Sequence, residues 1–596
     1  MDGSADRLSA GDADQAFAGL HCAGCAGGGH PYHLCAVWLG HAGPSLLLMK
    51  AREKGKALRH RLCDAGNGDL LLFLTTFFLV IVRYLAHGFA YYPQLDDYIQ
   101  LHNYASSGDY LRFLSEQGLL SARPLAGVFD LYVWSNFYNR LLVAVLLISL
   151  MFAASAIFFK RVLERYFTVT PLFCVLYTLV PASIEGTYWL SASTRIAVGL
   201  FFVSLSLVLL ERFLADGRAA DAIFFVLFQL ISFGFYEQVM VFSVAFCGLL
   251  FLLNVRSNTR RSFLTFVSFP NLVLYFCLCS LAGASKVYGA RMELAWPDNP
   301  YYFDVFLPDV LVQIKAVFLD GNAAVFLKGF VRGLTSGAWL PILLSALLCA
   351  ALAFFFKRKG DTKRPILGMV FGFLLAIAPV SIFFFIANTW LSFRCMVAAL
   401  PGIALFFDSL TALVFRGRGV AGKQVLTVLF AFVCCAAGIS EIGDYKQTHL
   451  DDLRFTQSLA AHCERYGEKT RIGILNVEPS YLTDQNFYYH EHIHGVTESA
   501  WALSGMMIAE HDGFSHSVTP IPIDEPWRAW NFEQNRPEAF DVILLYEREN
   551  DSFAELTYAC EDGVYAFFDE NGVQRAEIVD ENGIAKGKLL PNFVGK

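Results

Sequence analysis

LLVAVLLISLMFAASAIFF (Leu141–Phe159) runs for 19 residues without a charge and is closed at once by Lys160-Arg161. At a rise of ~1.5 Å per residue such a helix is ~29 Å long, close to the ~30 Å of bilayer hydrocarbon. Working outward, comparable apolar runs appear near 70–87, 169–184, 195–212, 221–238, 239–254, 263–283, 336–356, 365–387, 395–415 and 424–441. With 138–159 they predict a mainly α, polytopic membrane protein of about eleven transmembrane helices. The 221–254 stretch fits one bent hairpin or two short helices.

Composition agrees. Over 596 residues the chain is 55% hydrophobic, 17% charged and has 56 Phe, which excludes an ordinary soluble domain of this length. Its net charge of −7 describes no nucleic-acid surface, because Lys and Arg fall in short clusters between apolar runs. Those clusters are Lys50 to Arg61, Lys160/Arg161/Arg165, Arg212/Arg218, Arg256/Arg260/Arg261, Lys357 to Arg364 and Arg416/Arg418/Lys423. Counting eleven spans puts every cluster on one side, and by the positive-inside rule that side is the cytoplasm. The expected location is the plasma membrane, multi-pass, with a cytoplasmic N-terminus. The outer face then receives loops at about 88–137, 185–194, 284–335 and 388–394, and everything after Ser440. The two long loops carry aromatic and apolar stretches and are read as ordered, partly re-entrant or interfacial.

Four segments follow. Residues 1–48 read as a disordered N-terminal tail, with Met49 a natural start; 49–69 is a cytoplasmic basic segment; 70–441 is the transmembrane domain; 442–596 is an extracytoplasmic α/β domain. Within the last, Arg471–Val477 and Phe540–Tyr546 have buried-strand length, and Glu561–Lys588 alternates as a terminal hairpin would. No Gly-rich phosphate loop follows either strand. The cluster His21, Cys22, Cys25, His30, His33, Cys35 matches no standard zinc spacing. His490, His492 and His494 around Glu491 would share one face of a strand and could bind a metal there. Cys463 and Cys560 could bridge in an oxidising compartment, while the cysteines inside apolar runs read as small hydrophobes.

The chemistry concentrates in the first outer loop, at YYPQLDDY (Tyr91–Tyr98). Two adjacent carboxylates, Asp96 and Asp97, stand just past the outer end of the first span. Such a pair can hold a divalent cation, split into a base and an orienting partner, or cap a turn. Further on, Arg123-Pro124 precedes the second span, and an arginine there suits phosphate as well as headgroups. In the second outer loop Glu185, Tyr188, Trp189 and Arg195 combine aromatic and polar groups in a way that can contact a sugar. Glu237 reads as a carboxylate deep in an apolar run, facing a cavity or a partner. Lys286, Arg291 and Arg394 are further candidates for a phosphate.

An acidic pair after the first span, an Arg-Pro before the second, many spans and an extracytoplasmic tail together resemble the GT-C clan of polytopic glycosyltransferases. Glu185–Leu190 and Tyr236-Glu237 make the chain similar to bacterial O-antigen-modifying glucosyltransferases of that clan. The resemblance covers about 70–441. It implies a hexose moved from a polyprenyl-phosphate donor to a cell-envelope glycan or glycolipid acceptor at the outer face. One of Asp96 and Asp97 would be the general base and the other an orienting group or metal ligand, with Arg123 facing the donor phosphate. No metal is required throughout the clan, so a cation at the pair stays open. The rivals are a transporter or flippase of lipid-linked sugars, for which no internal repeat is found, and an envelope scaffold, which leaves the acidic pair unexplained.

Overall fold

The structure is a computed structural model that describes residues 65–107, 112, 123–257, 259–281, 294–298, 300–356, 363–387, 389–416, 420–477, 495–521, 536–581 and 584–589. The tail 1–48, the basic segment up to residue 64, Lys286, Arg291 and the histidines at 490–494 lie outside those residues.

Among the described residues thirteen helices make up most of what precedes the tail domain. They are α1 (Ala65–Tyr84), α2 (Pro124–Tyr132), α3 (Leu142–Glu164), α4 (Pro171–Thr178), α5 (Leu190–Asp216), α6 (Ala219–Phe233), α7 (Glu237–Asn254), α8 (Thr259–Leu281), α9 (Tyr302–Thr335), α10 (Trp339–Phe355), α11 (Pro365–Phe384), α12 (Phe393–Val414) and α13 (Val420–Cys463). Local chemistry sets several ends. Pro124, Pro171 and Pro365 open their helices, where a missing N–H costs nothing. Gly217, with φ +74°, closes α5 in the left-handed conformation.

Among the described residues eight helices, α3, α5, α7, α8, α9, α11, α12 and α13, are long and apolar enough to cross a membrane. The apolar helices α6 and α10 are shorter. Leu274, Phe276, Leu340, Leu343, Ile366 and Phe373 point outward from α8, α10 and α11, a surface that water would not tolerate and lipid does. The molecule is built for a membrane.

Two features differ from the sequence expectation, at 169–184 and at 441/442, and a third is more regular than its reading as a loop implied. The run at 169–184 is not one span: α4 stops after eight residues, and the chain continues through a short turn at Pro181–Ser183. The break is tolerated because Arg83, wholly buried in α1, donates to the Thr178 and Leu179 carbonyls at 3.0 Å each. Within the expected loop at 284–335, Tyr302–Thr335 is helical. α9 carries two π-helical turns, at Tyr302–Phe306 and Ala316–Gly321. Both its ends meet the same side of the bundle, since the Tyr302 hydroxyl donates to the Phe384 carbonyl at 3.0 Å and Arg332 pairs with Asp444. The boundary at 441/442 is absent too, because α13 is one helix of 44 residues that runs through it.

Contacts sort the helix ends into two groups. At one, Asp69 takes Lys160 (3.0 Å) and Arg161 (2.7 Å), Arg165 takes Glu211 (2.8 Å) and Lys423 takes Asp408 (2.9 Å). At the other, Arg123 meets Glu237, His87 lies 2.8 Å from the Ile439 carbonyl, and the backbone of Gly186 crowds Arg394. The lysines and arginines that directly follow the apolar runs gather at the first end, and Arg123, Arg332 and Arg394 stand at the second.

The tail folds as a seven-stranded sheet with a helix, α14 (Ala500–Glu510). Its strands are β1 (Arg471–Leu475), β2 (Ser517–Pro520), β3 (Val542–Glu547), β4 (Ser552–Glu561), β5 (Val564–Phe568), β6 (Gln574–Glu581) and β7 (Ile584–Leu589), in the order β2-β1-β3-β4-β5-β6-β7. β1 pairs in parallel with β2 and β3, and the rest is an antiparallel meander. The strand-like runs at 471 and 540 are β1 and β3, and the expected hairpin is part of the meander. The far end of α13 completes this core: Phe455 packs edge-on against Tyr546 at 4.9 Å. Asp452 of α13 accepts from the Val496 N–H at 3.1 Å. Cys463 is buried, Cys560 is exposed and both are free thiols, so they do not bridge.

Candidate active site

The two adjacent carboxylates stand in different surroundings. Asp97 is wholly buried. One of its oxygens accepts from the Tyr91 hydroxyl (2.5 Å) and the Gln94 N–H (3.1 Å), the other from the Ser191 N–H (3.0 Å) and hydroxyl (2.7 Å). Burial pushes its carboxyl up to about 6, against the pull of those four donors. Asp97 therefore ties the first outer loop to the N-terminus of α5. The knot holds Leu95, itself 2% exposed, at φ +38°. A bulky residue rarely adopts that backbone, and such strain persists only where the surroundings impose it.

The strained turn presents the next side chain, Asp96, to a narrow hollow of about 50 Å³. Around it stand Gln100 one helical turn later, Arg123 at the head of α2, Arg195 with Ala192 and Ile196 from α5, Tyr236 at the α6–α7 turn and Arg394 at the head of α12. Three guanidiniums and one carboxylate thus share a single hollow.

Each arginine is held by its own support. Arg123 donates through Nε to both Glu237 oxygens, at 3.0 and 3.1 Å, and lies 4.4 Å above the Tyr236 ring. Arg394 lies 5.4 Å above the Trp189 indole. Arg195 is nearly buried; it donates to the Ser191 carbonyl and, at 2.9 Å, to Gln100 Oε1, and pairs with Asp130 of α2 at 3.2 Å. Burial pushes the Asp130 carboxyl up to about 7, although Arg195 opposes the shift.

Several expected site residues take other roles. Tyr188 and Trp189 are wholly buried and offer no face to a sugar. Tyr188 packs within 5.0 Å of Tyr84, Tyr91 and Tyr445, and Trp189 donates to the Gln94 carbonyl at 3.3 Å. Glu185, 1% exposed, does not line the hollow and faces Tyr445 of α13. Glu237 is not deep in a helix. Gly234 and the extended Tyr236 break the apolar run, so Glu237 opens α7 beside Arg123. Gln100 and Asp130 are members that sequence reading missed. Gln100 was within reach as the residue one turn beyond Asp96, whereas Asp130 looks like any polar helix residue until the fold sets it against Arg195.

A cation bridged by Asp96 and Asp97 does not fit, because both Asp97 oxygens are already engaged by donors. The positive charge here comes from the arginines. An arginine fork is complementary to a phosphate, and a half-exposed carboxylate beside it can accept a proton from a hydroxyl. Compared with known proteins, the chain matches no family model and no curated sequence, so what the site does has to be read from its geometry.

Proposed function

We propose that the protein is a membrane glycosyltransferase of GT-C type, moving a hexose from a polyprenyl-phosphate donor to a glycan or glycolipid at the outer face. The observation that carries this reading is the meeting of Asp96 with Arg123, Arg195 and Arg394 in one hollow at the end of an apolar helix bundle. An anionic headgroup on a lipid tail needs such a place, with cations at the membrane edge and hydrocarbon alongside.

In the reaction, the acceptor oxygen attacks the anomeric carbon while the bond from that carbon to the phosphate oxygen breaks. Asp96 takes the acceptor proton, and the electron pair of the broken bond leaves on the lipid phosphate. Arg123, Arg195 and Arg394 offset the charge that develops there. A single in-line displacement inverts the anomeric centre. The hollow is narrow, so donor entry has to move side chains, and the Arg123–Glu237 and Arg195–Gln100 contacts at its wall are the ones placed to yield.

Membranes containing the protein, incubated with polyprenyl-phosphate carrying a labelled hexose, should label a glycan or glycolipid. Label that crosses the membrane while still attached to the polyprenyl phosphate would instead establish a flippase.

A further inference from the structure

At the end of the bundle away from Asp96, the basic groups are mostly neutralised within the protein. Lys160 and Arg161 meet Asp69, Arg165 meets Glu211, Lys423 meets Asp408 and Arg261 donates to the Ala215 carbonyl at 2.7 Å. Arg256 and Arg260 are exceptions, and so are Arg364 and Arg416. Arg364 and Arg416 are exposed, and among the described residues neither guanidinium has a hydrogen-bonding or ionic partner in the protein. They flank a hollow of about 410 Å³ between α11 and α12, walled by Ile366, Leu367, Val370 and Leu413.

The hollow is built into the fold. Further along the same helices, Gly372 and Gly402 bring the two backbones together: a Cβ on Gly372 would stand 2.5 Å from the Phe406 nitrogen. A side chain on Gly368 would strike the Ser409 hydroxyl. Beyond this contact the helices part, and the gap lies open between the two arginines. Arg364 holds φ +44° at the start of α11, an unusual backbone for an arginine, and its carbonyl accepts from the Gly368 N–H at 2.9 Å. The strained residue therefore sets the point from which an exposed cation projects beside an apolar slot.

We propose that this hollow binds an anionic phospholipid, its phosphate between Arg364 and Arg416 and an acyl chain along Ile366, Val370 and Leu413. Guanidinium forks match a phosphate diester, and basic pockets between membrane helices select lipids of net negative charge. A zwitterionic lipid brings its own ammonium to the same two cations and is held less well. The site lies at the opposite end of the bundle from Asp96 and does not depend on the transferase reading.

The test is native mass spectrometry of the intact protein in mild detergent, titrated with phosphatidylglycerol or phosphatidylethanolamine. Phosphatidylglycerol should stay bound at collision energies that strip phosphatidylethanolamine. Each arginine near the lipid surface contributes ~5-fold, so the double variant Arg364→Gln/Arg416→Gln should weaken phosphatidylglycerol binding ~20–30-fold. Double replacement by Lys should cost less. Val370→Trp, which fills the slot and keeps both cations, should also weaken it. Equal retention of the two lipids, or a double Gln variant that binds like the parent, would overturn the proposal. So would unchanged binding in Val370→Trp, since the charges would then act as a diffuse surface field.

Discussion

Asp96 and Asp97 are neighbours in sequence and opposites in environment, so the same substitution should give two signatures. Asp96→Asn keeps the side chain's size and removes its capacity to take a proton. Transfer should fall ~10²–10⁴-fold while yield and thermal midpoint stay put. Asp97→Asn instead brings an amide to a site that receives four donors. Each donor left unsatisfied costs about 1–3 kcal/mol, so this variant should lose thermal stability as well as activity. Transfer assays paired with melting curves separate the two, and normal transfer by Asp96→Asn would remove the proposed base. Asp130 makes a pH prediction. Its carboxyl is pushed up to about 7 by burial, so only above that pH does it fully charge and hold Arg195. Transfer should therefore decline as pH falls through 7. Stability should move the other way: a raised folded-state pKa means the native chain binds the proton more tightly, so this group's contribution shrinks as pH rises from ~4 through 7. Asp130→Asn should flatten both trends, and an unchanged pH–rate profile would assign the limb to another group. At this scale the sequence was legible for charge and poor for direction. Asp96, Arg123, Arg195 and Arg394 all stand at or near the ends of apolar runs, away from the basic clusters, and they meet. Tyr188 and Trp189 looked equally suited to a sugar, yet the tyrosine cluster around them is made by α1 and α13, about 100 and 250 residues away in sequence.

Elements are fixed here by close backbone approach as much as by apolar burial, as expected where lipid gives no hydrophobic drive between helices. Gly402 of α12 is the clearest case, because a Cβ there would stand 2.6 Å from the Leu375 carbonyl carbon and 2.7 Å from the Gly372 oxygen. These are backbone atoms that cannot turn aside. Gly402→Val should cost 1–3 kcal/mol or more, read as a lowered melting temperature or loss of the monodisperse peak in detergent. Gly248 of α7 is the internal control, with nothing within 4 Å of its would-be Cβ. Gly248→Ala should be neutral or stabilise by about 0.5–1 kcal/mol through helix propensity. If both variants melted alike, close approach at Gly402 would not be what holds α11 to α12. Apolar runs announced most helices well, because 16–20 uncharged residues have few alternatives in a chain this long. They failed where the cause lay elsewhere in the fold. The α4 break depends on Arg83 satisfying its carbonyls, and α13 continues past Glu441 because its second half exchanges lipid-facing for sheet-facing burial, with Phe455 and Leu459 in the tail core. Hydropathy falls at that point while the helix does not.

For the whole molecule, the two groups of helix ends make orientation a single question. Asp69, Lys160, Arg165, Glu211, Asp221, Lys363 and Lys423 make their contacts at one end; His87, Arg123, Glu237, Arg394 and Ile439 make theirs at the other. This segregation was readable from the spacing of the basic clusters, because a cluster recurs after every second apolar run. The helix directions follow even though 169–184 proved to be a broken segment. If the basic end is cytoplasmic, as Lys and Arg asymmetry favours, the hollow with Asp96 and the sheet of the tail both face outward. A reporter active only outside the cytoplasm should then be active when fused after Lys596 and silent when inserted between Lys359 and Lys363. A cytoplasm-dependent reporter should show the reverse. The fusion after Lys596 reads the Cys463 end of α13, beyond Ile439, and the insertion reads the end where the Lys363 N–H donates to Thr168 Oγ1 at 2.6 Å. Both insertions active in the same compartment would mean that one helix between them fails to cross. Inverted activity would put Asp96 on the cytoplasmic side, where a donor facing outward could not reach it. That result would remove the outward-facing transferase while leaving the site's geometry intact.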